Sequence, residues 1–179
     1  MFTSGVGFFA LFGFGWWLLG TGTVAGPAWT AVAVVAGLVI TAGLLLFAHR
    51  RLPSGRGEPF PVERRRRFAQ INALQWILIA AIAIGCGRAG VPELIAPLIA
   101  LVVGVHFLPL AAVFEQPALR IPAALLIVAA AAGAVTWAAG GPAVSVRVVV
   151  GVMSALSLWG TGLWTVAAQS RTEEAAAGR

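Results

Sequence analysis

The chain reads as an all-α, polytopic integral membrane protein with six transmembrane helices and both termini in the cytoplasm. Three observations carry that expectation. Of 179 residues, 60% are hydrophobic and only 10% charged, too few polar groups to solvate the outer faces of soluble helices. The apolar residues gather into long runs over residues 5–20, 28–48, 68–85, 94–114, 121–139 and 148–168, each close to the 17–25 residues that an α-helix needs to cross a bilayer core. All twelve basic side chains are Arg, and every one lies in or beside a gap between those runs.

The first run, Gly5–Gly20, is the shortest. Met1–Ser4 carries no Lys or Arg, so the run lacks the basic leader of a cleaved signal peptide and is expected to be a retained helix. The second, Ala28–Ala48, is opened by Gly26-Pro27, with Pro at a helix start where its missing N–H costs nothing. Ala33, Gly37 and Thr41 recur on it at four-residue spacing, the pattern of close helix contacts in membranes. Residues 49–67 form a basic cytoplasmic loop, with a hinge expected at Pro53–Pro61. The third and fourth runs, Phe68–Gly85 and Leu94–Phe114, carry most of the polar residues discussed below. Ile121-Pro122 opens the fifth, on which Ala129 and Gly133 form a second small-residue contact. Gly140-Gly141-Pro142 is a turn before the sixth, Val148–Ala168. The six crossings make one transmembrane domain over residues 1–179, with no room for an appended catalytic module. The halves on either side of Gly87–Glu93 would have opposite orientations, the layout of inverted-repeat transporters, but they share little beyond Gly20–Gly22 and Gly160–Gly162.

Orientation follows from the excess of basic residues in cytoplasmic loops. Arg50, Arg51, Arg56, Arg64, Arg65, Arg66 and Arg67 lie between the second and third runs; Arg120, Arg171 and Arg179 fall on the same side, which leaves only Arg88 and Arg147 outside. The run Arg64–Arg67 stands at the mouth of a membrane helix and is expected to meet anionic lipid headgroups, not nucleic acid. Trp16, Trp17 and Trp29 would lie toward the outer interface and Trp159 and Trp164 toward the inner one, as anchors or packing residues.

Polar residues inside the runs are the informative minority, because such groups are costly in lipid and face a bundle interior or a pathway. His106 lies roughly 12 Å from the cytoplasmic end of its helix, and Asn72 and Gln75 roughly 6–10 Å from the same side. Ser154, Ser157, Thr161 and Thr165 share a face of the sixth helix, with Thr161 at comparable depth. Convergence of these faces would make a ligand or proton site of His106, Asn72, Gln75 and Thr161. Pro109 kinks the fourth helix and frees the carbonyl of Val105, beside His106. The competing reading is a core His106 bonded to Asn72 or Gln75.

The segment Gly104-Val105-His106-Phe107-Leu108-Pro109-Leu110-Ala111, followed by Phe114, resembles the G-x-H-F-x-P-L-A segment of small uncharacterised bacterial multi-pass membrane proteins. The resemblance covers the fourth helix and its exit. It implies a bacterial inner (cell) membrane location and no known activity.

Catalysis is disfavoured by inventory. The chain has no Asp and no Lys, its six acids lie in loops, helix ends or the tail, and neither Ser154 nor Ser157 sits in G-x-S-x-G. His49, His106 and Cys86 have no metal-site spacing, and no metal or cofactor is expected. Gly20, Gly22 and Gly26 imitate a dinucleotide fingerprint without the strand it requires. Two readings of different class remain: a small-solute carrier or ligand-binding membrane protein built on the polar cluster, and a non-catalytic membrane subunit or scaffold. The partners expected are the bilayer with its anionic lipids, and a second copy or another membrane protein.

Overall fold

The computed structural model describes residues 2–22, 24, 26–52 and 61–177, with the side chains of 2–4 and 172–177 outside that description. Six α-helices run in order: α1 (Phe2–Thr21), α2 (Pro27–Arg51), α3 (Val62–Ala89), α4 (Ile95–Val113), α5 (Arg120–Ala138) and α6 (Ala143–Ala177). Short 3-10 turns at Pro92–Leu94 and Pro117–Leu119 lead into α4 and α5, and no strand occurs among the described residues. Among the described residues, five helical segments are long and apolar enough to cross a membrane, and a sixth, Gly5–Thr21 within α1, is apolar and shorter. The described residues are therefore all-helical in their regular structure, and the long apolar helices are compatible with a multi-pass membrane protein.

The helices outrun the apolar runs because polar residues continue a helix beyond the part that lipid requires. The main difference is at α3. Pro61 caps it with its fixed φ, and Glu63 in the first turn complements the positive end of the helix dipole. Arg64–Arg67 are consequently helical, not part of a 49–67 loop. α2 likewise extends to Arg51, ending where Leu52 takes an extended conformation (φ −104°, ψ 134°), as expected of a residue that precedes Pro53. The hinge expected at Pro53–Pro61 lies, Pro61 apart, outside the described residues, as do Arg56 and Arg179.

The chain divides into two compact units, Met1–Glu58 with Ala155–Arg179, and Pro59–Ser154. In the first, the small-residue stripe of α2 lies against α1. The Trp17 indole N–H donates to the Ala33 carbonyl at 2.8 Å, and Gly37 admits the rings of Phe14 and Trp17. Buried Thr41 donates to the Ala10 carbonyl at 3.5 Å, and the same carbonyl accepts from Trp159 Nε1 at 3.1 Å. Trp17 and Trp159 sit 5.7 Å apart, centroid to centroid, so they share one level and are interior packing residues. The expectation that Trp17 and Trp159 lie toward opposite interfaces is corrected here, and of the two roles expected for them, anchor or packing residue, the contacts are those of packing. Trp29 and Trp164 remain exposed.

In the second unit, α4 packs between α3 and α5. Gly104 faces α5 so closely that a Cβ would lie 2.9 Å from Ile127 and 3.0 Å from the Ala123 carbonyl. Gly133 on α5 makes room for Val150 and Pro97, and Leu126, Val146 and Val150 are fully buried. Helix–helix contact at small residues is the way membrane interiors reach close packing without a hydrophobic driving force.

Candidate functional site

Several polar residues of the second unit sit along the seam between antiparallel α3 and α4. Arg64, Phe68, Ile71 and Gln75 fall on one face of α3, at the three- and four-residue steps that bring side chains into line. Their counterparts on α4 occur in reverse order. Arg64 Nη2 pairs with Glu115 Oε1 at 2.6 Å; the Phe68 and Phe114 rings meet at 5.7 Å in a tilted arrangement, with an interplanar angle of 54°. One layer further, buried His106 makes a hydrogen bond to the backbone of Ile71, which as an acceptor offers its carbonyl to a ring N–H. Gln75 follows one turn beyond Ile71; it is 6% exposed, and its Oε1 has no hydrogen-bond partner among the described residues.

His106 and Gln75 thus belong to one seam, with Asn72 half-buried beside them. The partner of His106 is a backbone carbonyl, not the Asn72 or Gln75 side chain. No side-chain pattern could have announced a backbone acceptor. Val105 and Pro109 lie on the exposed face of α4, whereas Val103, His106, Phe107 and Leu110 are buried. The carbonyl that Pro109 leaves unbonded therefore opens on the exposed stripe, away from the imidazole. Thr161 belongs to the first unit. Its hydroxyl donates to the Ser157 carbonyl at 2.7 Å, and its own carbonyl accepts from Thr165 at 2.8 Å, the local back-bonding that spares Ser and Thr a distant partner.

An unsatisfied buried amide is an unfavourable element in any fold, costing roughly 1–3 kcal/mol, and a lipid-facing environment supplies no water to relieve it. Gln75 is joined in that condition by the Ser154 hydroxyl, which is fully buried, and by Arg147 Nε and Gln169 Oε1. Of these, Gln75 stands one turn along α3 from Ile71, whose backbone bonds the buried His106. Among the described residues no three His, Cys, Asp or Glu side chains gather as a metal site would require.

Glu115 is the residue that the sequence did not single out as functional. α4 ends in a left-handed residue, with Glu115 N–H donating to Ala112 and Gln116 N–H to Ala111. The same termination closes α3 at Gly90 (φ 72°) and α5 at Gly140 (φ 79°). Glycine adopts that conformation freely, whereas Glu115 (φ 55°) holds it at a cost of about 1 kcal/mol or more. An exposed ion pair returns at most about 1 kcal/mol. Stability alone accordingly does not favour Glu over Gly at this position. What Glu adds is a carboxylate on Arg64. Arg65, Arg66 and Arg67 stay exposed on the same turns of α3.

The chain matches no family model, no curated protein and no solved structure.

Proposed function

We propose that the protein is a small-solute carrier or ligand-binding protein of the bacterial cell membrane, with its binding centre at His106 and Gln75 in the α3–α4 seam. The observation that carries this reading is the buried Gln75 amide oxygen, without a partner among the described residues and one helical turn from the Ile71 carbonyl that holds an imidazole. Two polar groups placed together in an apolar bundle invite a polar occupant, since a partner for them lowers the free energy of the bound state. Asn72 flanks the centre. Six crossings with both termini in the cytoplasm fit the ten-to-two division of Arg, and Arg64–Arg67 then meet anionic headgroups on that side. The likeness of Gly104–Ala111 to small bacterial multi-pass proteins supports the location.

A second reading, a membrane subunit that packs against another copy or another membrane protein, draws on α3. Leu74, Trp76, Ile77 and Ile84 on it are all more than half exposed.

Native mass spectrometry of protein released gently from membranes separates the two. Wild type should retain a small molecule that His106→Ala and Gln75→Leu both lose. Retention of only lipid or a second protein, unchanged in both variants, would remove the binding reading and leave the subunit one.

A further inference from the structure

We propose that Arg64 and Glu115, with Phe68 and Phe114 beneath them, form a latch that closes the α3–α4 seam over the His106–Gln75 centre and governs access to it from that end. The inference rests on the reading of that centre as a binding site. Four layers follow one another along the seam: the ion pair, the ring pair, the imidazole on the Ile71 carbonyl, and the unpartnered amide. The outer layers are open to solvent, with the Arg64 and Glu115 side chains 32% and 74% exposed and Phe68 40%, whereas Gln75 is 6% exposed. The polar centre is therefore sealed from this mouth by two contacts, neither of which is a buried part of the core.

Glu115 identifies the outer contact as more than a helix end. At the corresponding positions of α3 and α5 the chain has Gly90 and Gly140, which satisfy the backbone without strain. A carboxylate at a position suited to glycine holds an arginine across the seam, and it does so through an ion pair in contact with water. Such a pair closes reversibly. It is weakened by salt and by any phosphate that competes for the guanidinium. The ring pair is the inner contact, and it separates when the two helix ends part. Opening of the latch thus exposes the centre without unfolding either helix.

The test is thiol accessibility. Gln75→Cys in a Cys86→Ser background, reconstituted in phosphatidylcholine vesicles, is treated with a charged, membrane-impermeant methanethiosulfonate. Glu115→Gly and Glu115→Gln should each raise the labelling rate by about fivefold, the scale set by one exposed ion pair. Arg64→Glu with Glu115→Arg should bring the rate back toward the parent. Raising the ionic strength should speed labelling in the parent and leave Glu115→Gly unaffected. Size-exclusion profiles and melting temperatures in detergent identify any variant that has lost its fold, and Glu115→Gln, which keeps the side-chain shape, provides the reading if Glu115→Gly has. Equal rates in parent, Glu115→Gly and Glu115→Gln would overturn the latch, as would a swapped pair that labels as fast as the single variants. Because the readout needs no ligand, a responsive latch with no retained solute sinks the proposed function alone, whereas a retained solute with unresponsive labelling sinks the latch alone.

Discussion

Gly13 of α1 faces the indole of Trp159 so closely that a methyl group on Gly13 would lie 2.6 Å from ring atoms Cδ1 and Nε1. The ring cannot retreat without giving up its bond to the Ala10 carbonyl. Gly13→Ala should therefore destabilise the protein by about 1–3 kcal/mol, as overpacking does, and Gly37→Ala should do the same against Phe14 and Trp17. Gly43, with open space where a Cβ would stand, is the control. Thermal unfolding in detergent micelles should place Gly43→Ala at or slightly above wild type; similar losses in all three variants would refute the packing argument.

Trp159 and Trp164 make a second comparison. Trp159 is buried and hydrogen-bonded, Trp164 half-exposed. Trp159→Phe should cost roughly 0.5–1.5 kcal/mol for the lost hydrogen bond and more for the vacated volume. Trp164→Phe should change the unfolding midpoint little.

Gln75→Leu should raise the unfolding midpoint, by the equivalent of about 1 kcal/mol or more, because it removes a buried amide oxygen that has no partner among the described residues. The same variant should lose the retained small molecule. A drop in stability would mean that the Gln75 amide is satisfied in the folded protein.

The three left-handed helix ends differ in what a side chain does there. Gly90→Ala and Gly140→Ala should each cost about 1 kcal/mol. Glu115→Gly should be near neutral, because relief of the backbone offsets the loss of an exposed ion pair worth at most about 1 kcal/mol. The three melting temperatures decide it, and a large loss for Glu115→Gly would show the pair to be a stability element.

Replacing Arg65, Arg66 and Arg67 together by Gln should weaken retention of anionic phospholipid by about 1 kcal/mol per arginine, read as co-purified lipid by mass spectrometry. Arg64, engaged with Glu115, is left in place. Unchanged lipid retention would assign the basic turn to orientation alone.

Much of this architecture was legible in the sequence because membrane helices announce themselves by length and apolarity, and Gly26-Pro27 and Gly140-Gly141-Pro142 mark their ends by backbone chemistry. The Ala33, Gly37 and Thr41 stripe was legible too, as it depends only on periodicity. What lies across a seam was not. His106 could be recognised as a buried polar residue, but its acceptor is a main-chain carbonyl that every residue possesses. Arg64 looked like one of four equivalent arginines in a loop until the helix start at Val62 put it on the same face as Ile71 and Gln75. Glu115 looked like an ordinary loop acid, since nothing in a residue's identity reports a positive φ.

The turns of the Pro59–Ser154 unit are short: Gly90 and Val91 precede the turn into α4, Phe114 to Gln116 precede the turn into α5, and Ala139 to Pro142 precede α6. Closing such small loops costs little chain entropy, so each helix can find its sequence neighbour as soon as both are inserted. The seam that carries His106 should for that reason assemble early in biogenesis, as an α3–α4 hairpin, before the last helix has left the ribosome.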